Sequence, residues 1–385
     1  AIKTLLVPTA QQTAAKTDQS SNALKQKMEN AIKLAGQVEK ESKKLGETLL
    51  DKKEIALEDK KQIEQLLDKQ KQLDQSVQEI KKLNTQQTFE KEENNLLKDE
   101  LLKKQQQIDD LFNNALDEKT KSILEKLQNL MNESNKDKTS GELSKMQMDN
   151  KSLKNELDRI LELYKQLEFE QNLQNKTDRL EELAKMQEAL SKQSAQKNAD
   201  LEDLKKKQTN ISKELTGLKK EFQQLDEKNR QLEKPNPFQR PDKEISQIES
   251  SQKVAQDQLS KSDRPNASKS QEKAAEELKK LSQKLKEEQQ EASETENNIN
   301  AQEIRKLLQN LLNTSFEQEK VMLRLRNMNS TDPQYTLNVQ KQRTIKDNMK
   351  TISDSLFSLS KRVPQISSTV NEEVQKINFN MDKSL

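Results

Sequence analysis

The sequence has no cysteine, histidine or tryptophan, and only 4 glycines among 385 residues. Without cysteine, the chain can form neither a disulfide nor a zinc finger, and it has no thiolate nucleophile. Without histidine, it cannot build a Ser-His-Asp triad or a ferritin-like di-iron site. Neither G-x-x-x-x-G-K nor G-x-G-x-x-G occurs, so no phosphate-binding loop is indicated. Most familiar catalytic and cofactor-binding arrangements are therefore excluded.

Apolar residues are also scarce. Hydrophobic residues make up 30% of the chain, aromatic residues 3% and charged residues 35%. This composition disfavours the desolvated pockets in which carboxyl or lysine pKa values shift for catalysis. Adjacent acidic pairs occur at 109–110, 181–182 and 372–373, but neighbours on a helix point about 100° apart and do not converge on one metal or substrate. We predict no catalytic, cofactor-binding or metal-binding residue.

Neither sign of charge predominates, because the sequence contains 68 basic and 66 acidic residues. The longest basic run, Lys205 to Lys207, is soon followed by Glu214 and Glu221. Nucleic-acid affinity requires clustered lysine and arginine, so we predict no nucleic-acid partner and interpret the run as a solvated helix face. A nucleic-acid-associated coiled coil is kept only as a third hypothesis.

Long hydrophobic runs are absent from the sequence. No stretch approaches the ~18–20 apolar residues that span a bilayer, and the apolar segment 2–7 is too short for a signal peptide. The sequence begins with Ala1 and ends at Leu385 inside a predicted helix. We interpret it as part of a longer protein, with any membrane anchor outside the part given.

What the sequence does contain is a pattern of long helices. No proline occurs between Pro8 and Pro235, and lysine, glutamate, glutamine and leucine are abundant. Apolar residues recur at alternating spacings of three and four, as in a coiled-coil seam. Such seams run over 24–49, 63–80, 143–167 and 180–232. The predicted fold is all-α, with long antiparallel coiled-coil helical hairpins over 1–234.

Several interruptions are predicted within these helices. Asp59 with Gln62 resembles a capping box at a helix restart, and Thr139 with Glu142 resembles another. The remaining signals are a polar interruption at 85–88, a cap at Asp117, a turn at 132–141 and a phase slip at 171–177. We expect a bend, a stutter or a helix break at the phase slip.

Polar residues occupy four positions of the predicted seams, namely Asn150, Gln187, Gln208 and Asn229. Buried polar residues at such positions weaken packing but help to fix the register of the helices. A partly exposed or frayed seam would also tolerate them. Both interpretations stay open at this point.

The C-terminal part has a different character. Residues 235–243 form a Pro-rich linker, 244–300 short helices and 301–385 a three-helix bundle. An apolar face between Ile304 and Leu325 is wider than a two-stranded seam, which favours a bundle. Asp332 with Pro333 begins the second helix of this bundle and Pro364 marks the corner before the third.

Several segments resemble one known family. They are N-T-S-F-E-Q-E at 313–319, the run at 354–367, N-M-D-K-S-L at 380–385, the segments 157–170 and 179–188, and the alanine-rich run at 274–285. These segments are similar to a family of large, membrane-anchored envelope proteins of unknown function from Bacteroidota. The resemblance implies that the chain is the Gln- and Lys-rich helical region, on the periplasmic side of the inner membrane. It carries over no catalytic residue.

Together these observations favour a non-enzymatic, extended helical scaffold or docking arm within a bacterial cell-envelope assembly. It would contact protein partners through its helical seams, and a membrane only through segments outside the sequence. The alternative is a chaperone- or tether-like module whose polar seams are completed by a partner chain. Sequence alone leaves the oligomeric state open.

Overall fold

The computed structural model describes residues 10–93, 99–115, 136–326, 328–329 and 331–383. Within these ranges it contains nine α-helices, a short π-helical segment and no strand, which confirms the all-α prediction. The helices are α1 (Ala10–Leu50), α2 (Leu57–Glu93), α3 (Asp99–Asp110), α4 (Lys136–Ser194), α5 (Leu201–Arg230), α6 (Asp242–Ser260), α7 (Arg264–Arg326), α8 (Pro333–Ser360) and α9 (Ser368–Lys383). The π-helical segment, Leu111–Ala115, follows α3 directly.

The chain divides into two compact units. The first unit comprises Ala1–Tyr164 and Gln302–Leu385, and the second comprises Lys165–Ala301. Helices α4 and α7 each contribute residues to both units. The sequence-based boundary between 300 and 301 lies next to the boundary between the units, and both fall inside α7. The divisions differ elsewhere, because the linker predicted over 235–243 lies inside the second unit and no boundary was predicted near residue 164.

In the first unit, α1 and α2 run antiparallel. Lys27 pairs with Glu79, Lys69 pairs with Glu41, and Lys52 pairs with Asp59 near the turn. Helix α4 packs against both and supplies two members of their shared core. That core consists of Val38, Leu45, Leu49, Ile63, Leu66, Leu67, Leu143 and Met146.

The helix restart near Asp59 is observed, but Asp59 is not the N-cap. Helix α2 begins at Leu57, so Asp59 lies in its first turn. Its carboxylate accepts a hydrogen bond from the Ala56 backbone N–H at 2.9 Å and another from Lys52 Nζ at 2.6 Å. The bond from Lys52 is the main cause of its lowered pKa. The carboxylate thus satisfies a backbone donor at the helix start, as the acidic member of a capping box does.

Two predicted interruptions are wrong, because the helices run through them. At the phase slip the predicted helix break is wrong as well, whereas a bend or a stutter there stays a prediction. Residues 85–88 lie inside α2, whereas Thr139 with Glu142 and the segment 171–177 lie inside α4. The hydroxyl groups of Thr85 and Thr177 donate to backbone carbonyls four residues earlier, so these polar residues are accommodated within a helix. The predicted turn at 132–141 is likewise helical from residue 136 onward. Its first four residues, and the predicted cap at Asp117, lie outside the described residues.

The second unit is a four-helix bundle. It contains the C-terminal part of α4, then α5, α6 and the N-terminal part of α7, and each helix runs antiparallel to the next. Successive helices are joined by the ion pairs Arg179–Glu221, Lys219–Glu249, Lys284–Glu244 and Lys286–Glu181. The last pair returns to α4, so the four helices surround one core. The seam predicted over 180–232 therefore packs within a bundle of four helices.

The turn between α4 and α5 was not predicted from the sequence. The seam was predicted to continue from Leu180 to Leu232, but α4 ends at Ser194 and α5 begins at Leu201. Asp200 caps α5 by accepting a hydrogen bond from the Glu202 backbone N–H at 3.0 Å. The turn contains neither glycine nor proline, the two residues that mark turns most strongly.

The proline-rich segment after α5 is non-helical, as predicted, but it is not a free linker. The ring of Phe238 packs with its centroid 5.8 Å from that of Phe169 and 6.4 Å from that of Phe222. The Asn229 side chain binds the Asn236 backbone, accepting from its N–H at 2.8 Å and donating to its carbonyl at 2.9 Å. These contacts hold the segment against the bundle.

Helix α7 is longer than the sequence predicted. It begins at Arg264, after a turn in which Ser262 has a φ of 62°, and continues past the predicted boundary at residue 300 to Arg326. Residues 286–300 are helical, although nearly all of them are polar. The first helix of the predicted terminal bundle is therefore the second half of α7.

The start of α8 and the corner before α9 agree with the prediction. The Asp332 side chain accepts from the Gln334 backbone N–H at 2.7 Å, and Pro333 is the first helical residue. Residues 361–367, which include Pro364, form the corner. The core shared by α7, α8 and α9 consists of Val321, Ile345, Met349, Leu356, Val374 and Met381.

Candidate functional site

One face of α7 presents large apolar side chains to solvent. Leu308, Leu312, Phe316 and Leu323 have exposed fractions of 56%, 59%, 58% and 50%. Their spacings of four, four and seven residues place them within about 80° of the helix circumference. We call these four residues the α7 flank.

The flank is part of the broad apolar face predicted between Ile304 and Leu325. Leu307, Leu311 and Leu325 pack against the core that α7 shares with α8 and α9, as expected for bundle residues. The flank residues lie beside them on α7 but are exposed and do not belong to that core. The sequence indicated an apolar face wider than one seam and assigned that whole face to a bundle, so the exposure of the flank was not predicted.

Exposed apolar side chains are concentrated at this place. Among the described residues, 14 large hydrophobic side chains are exposed, and five of them, the flank and Met322, lie within 308–323. Single exposed apolar residues are normal on protein surfaces, whereas contiguous apolar patches mark interaction sites. The flank is therefore the strongest candidate for a contact surface.

Two exposed charged residues lie on this side of α7, one before Leu308 and one after Phe316. Arg305 precedes Leu308 by three residues, and Glu319 follows Phe316 by three. Neither forms an ion pair in the part of the chain that the structure describes. Leu308, Leu312 and Phe316 of the flank thus lie between a positive charge on their N-terminal side and a negative charge on their C-terminal side.

A groove of about 570 Å³ separates α4, α8 and α9 in the first unit. Its walls include the apolar side chains of Met148, Phe357 and Phe379. Three lysines and three aspartates also line it, namely Lys151, Lys346, Lys350, Asp347, Asp354 and Asp382. Because the two signs balance, the groove offers no charge preference for an anionic or a cationic ligand.

The most deeply buried charge in the described chain is Arg159 on α4. Its guanidinium donates from Nε to the Ser360 carbonyl at 2.9 Å, from Nη2 to the carbonyls of Pro364 and Ile366, and from Nη1 to Glu156 at 3.1 Å. Burial lowers the pKa of Arg159, and Glu156 opposes that shift. Every contact is internal, so this arginine holds the α8–α9 corner against α4.

A second polar cluster surrounds Asp109 at the end of α3. Its carboxylate accepts hydrogen bonds from Asn84, Thr88 and Gln105. Burial raises the pKa of Asp109, although these bonds oppose the rise. The cluster lies where the sequence predicted an interruption of α2, and its hydrogen bonds explain why a helix tolerates polar residues there.

A layer of glutamines crosses the core of the second unit. Gln187 and Gln208 exchange hydrogen bonds of 2.9 and 3.1 Å, and Gln252 and Gln271 donate to them at 3.1 Å. One glutamine comes from each helix of the bundle. Because the side chains are buried and bonded, the frayed-seam interpretation of Gln187 and Gln208 is wrong. Asn150 and Asn229 are buried as well.

The basic run at 205–207 is compensated locally. Lys205 pairs with Glu202, and Lys207 pairs with Asp203, both on the same turns of α5. Ion pairs of this kind reduce the positive potential that attracts phosphate groups. The run therefore resembles the solvated helix face that the sequence predicted.

The described residues lack two further kinds of feature. Among those residues, no group of three or more acidic side chains is placed to hold a metal ion. Within the same residues, no helix combines the length and the apolar character needed to span a membrane.

Compared with the known protein families, with curated proteins and with solved structures, the chain has no match.

Proposed function

We propose that the chain is a non-enzymatic helical scaffold that docks onto protein through the α7 flank. The observation that carries this proposal is the exposure of Leu308, Leu312 and Phe316, each more than half exposed on one side of a continuous helix. Exposing such side chains to water is unfavourable, at about 25 cal/mol per Å² of apolar surface. Covering them with another apolar surface recovers that free energy and stabilises a complex.

The location that fits the resemblance of the sequence is the bacterial cell envelope, and we propose it on that ground alone. In this setting the chain would be a docking arm of an envelope assembly on the periplasmic side of the inner membrane. Contact with the membrane itself would be made by other parts of the protein.

The alternative functions gain less support from the described contacts. A tether completed by a partner chain needs polar seam positions open to that partner, but Gln187 and Gln208 are bonded within the chain. A nucleic-acid-associated coiled coil needs clustered cations, but Lys205 and Lys207 are paired with acidic residues.

Site-specific photo-crosslinking in the native cell tests the proposal. A photoreactive amino acid replaces Leu312 in one variant, and in a matched control it replaces Glu317, which is exposed on another side of α7. We expect a discrete protein adduct from position 312 and none from position 317. Absence of an adduct at 312, or equal adducts at both positions, would contradict docking through the flank.

A further inference from the structure

The residues on the flank side of α7 are arranged symmetrically about Leu312. Leu308 and Phe316 lie four residues to either side of it, and both are apolar and exposed. Arg305 and Glu319 lie seven residues to either side, and both are exposed with opposite charges. These five positions lie on one side of the helix over about 21 Å, at 1.5 Å per residue.

Such a surface is complementary to itself when a second copy lies antiparallel across it. Leu312 of one copy then faces Leu312 of the other, and Leu308 of each copy faces Phe316 of the other. Arg305 of each copy faces Glu319 of the other, so two ion pairs enclose an apolar centre. A contact of this kind uses the same surface on both copies and closes at a dimer.

Charge also selects the direction of pairing. In a parallel, in-register pair, Arg305 would face Arg305 and Glu319 would face Glu319, which is repulsive at both ends. The antiparallel arrangement replaces both repulsions with attractions. Charges beside an apolar seam set the orientation of paired helices in the same way in coiled coils.

We propose that two copies of this chain pair through α7, antiparallel across Leu312. The proposal rests on the proposed docking function, since it identifies the occupant of the flank as a second copy. Three of the four flank residues, Leu308, Leu312 and Phe316, take part from each copy, with Leu312 at the two-fold axis. The ion pairs between Arg305 and Glu319 fix register and direction.

Sedimentation equilibrium with charge-reversed variants of the full chain tests this proposal. We expect the wild-type chain to form a dimer of twice 44.6 kDa. Arg305→Glu places two glutamates opposite each other at both ends of the contact, and Glu319→Arg places two arginines there. Each variant alone should dimerise about tenfold more weakly than the wild type. Arg324→Glu, an exposed charge reversal on another side of α7, should leave dimerisation unchanged.

The decisive sample is an equimolar mixture of the two variants. A heterodimer of Arg305→Glu and Glu319→Arg restores two attractive pairs, so the mixture should associate as tightly as the wild type. A mixture no tighter than its components would overturn the proposal, as would a wild-type chain that stays monomeric at its highest soluble concentration. Helical circular dichroism spectra, expected to be the same for all variants, show that folding is retained.

Failure of this proposal is distinguishable from failure of the docking function. A monomeric chain that still forms an adduct with a different protein from position 312 in cells would refute self-pairing but retain docking. A chain that forms no adduct at position 312 would refute both.

Discussion

The guanidinium of Arg159 lies 2.9 Å from the backbone carbonyl of Ser360, 201 residues later in the chain. The same group binds the carbonyls of Pro364 and Ile366, so one side chain satisfies three carbonyls of the α8–α9 corner. Carbonyls at the end of a helix have no partner within the helix, and a fully charged donor is a strong substitute. Arg159 therefore joins α4 to the corner on which the position of α9 depends.

Arg159→Ala should lower the free energy of unfolding by about 3–5 kcal/mol, because it leaves the buried Glu156 carboxylate without its partner. Urea unfolding followed by circular dichroism measures this loss. Arg159→Lys should be intermediate, since lysine keeps the charge but lacks the planar fork. The control is Arg179→Ala, which removes a part-exposed ion pair with Glu221 and should cost about 0–1 kcal/mol. Equal losses for the two alanine variants would contradict the role of Arg159.

Replacing one glutamine of the layer should lower the stability of the second unit, whereas replacing the whole layer should not. Gln187→Leu should destabilise the second unit by about 1–3 kcal/mol, because it removes the oxygen to which the buried amides of Gln208 and Gln252 both donate. Replacing all four glutamines by leucine removes every polar group of the layer. We expect that variant to be at least as stable as the wild type in thermal unfolding. A loss for the fourfold variant larger than for Gln187→Leu would refute the prediction.

The proline-rich segment should be cleaved slowly by proteases, whereas an extended linker would be cleaved rapidly. Contacts of Phe238 with Phe169 and Phe222 hold the segment in place. Digestion with a protease of broad specificity should cut the wild-type segment slowly. Phe238→Ala should accelerate cleavage there about tenfold, the change that follows from about 1.4 kcal/mol of lost contact. Val254→Ala, a truncation of an exposed side chain on α6, should not. Rapid cleavage of the wild-type segment would mean that the packing of Phe238 does not restrain it.

Glu181 provides a prediction about pH. A hydrogen bond from Lys286, and a weaker contribution from Lys185, lower the pKa of Glu181 from 4.5 to about 2. A lowered carboxyl pKa gives stability that is present above the ordinary value and lost as the pH falls toward the lowered one. The carboxyl carbon of Glu181, followed by NMR, should therefore titrate near pH 2. In Lys286→Met its midpoint should rise toward 4.5, and an unchanged midpoint would show that Lys286 is not the cause.

Some features of the fold could be predicted from local sequence because local interactions determine them. Asp332 and Pro333 cap α8 through atoms only two residues apart. The apolar residues of α8 recur at spacings of four and three from Ile345 to Leu359, and they are buried as such spacing predicts. The turn after Ser194 could not be recognised, because it uses neither glycine nor proline. The burial of Arg159 depends on carbonyls some 200 residues away, which no local pattern reveals.

The exposure of the α7 flank likewise could not be predicted from local sequence. The sequence placed Leu308, Leu312 and Phe316 on a broad apolar face, and that placement agrees with the helix observed. It assigned all of them to the bundle core, whereas each is more than half exposed. Periodicity gives the width of an apolar face but not the number of helices that cover it.

The most direct test of pairing through α7 is a disulfide at its proposed two-fold axis. The chain has no cysteine, so Leu312→Cys introduces a single thiol. Two such thiols in facing copies should form a disulfide when oxidised by diamide, since residues facing each other across paired helices meet the distance requirement. The account predicts a covalent dimer that forms much faster than for Glu317→Cys and disappears on reduction. Equal rates for the two variants, or no covalent dimer from Leu312→Cys, would contradict it.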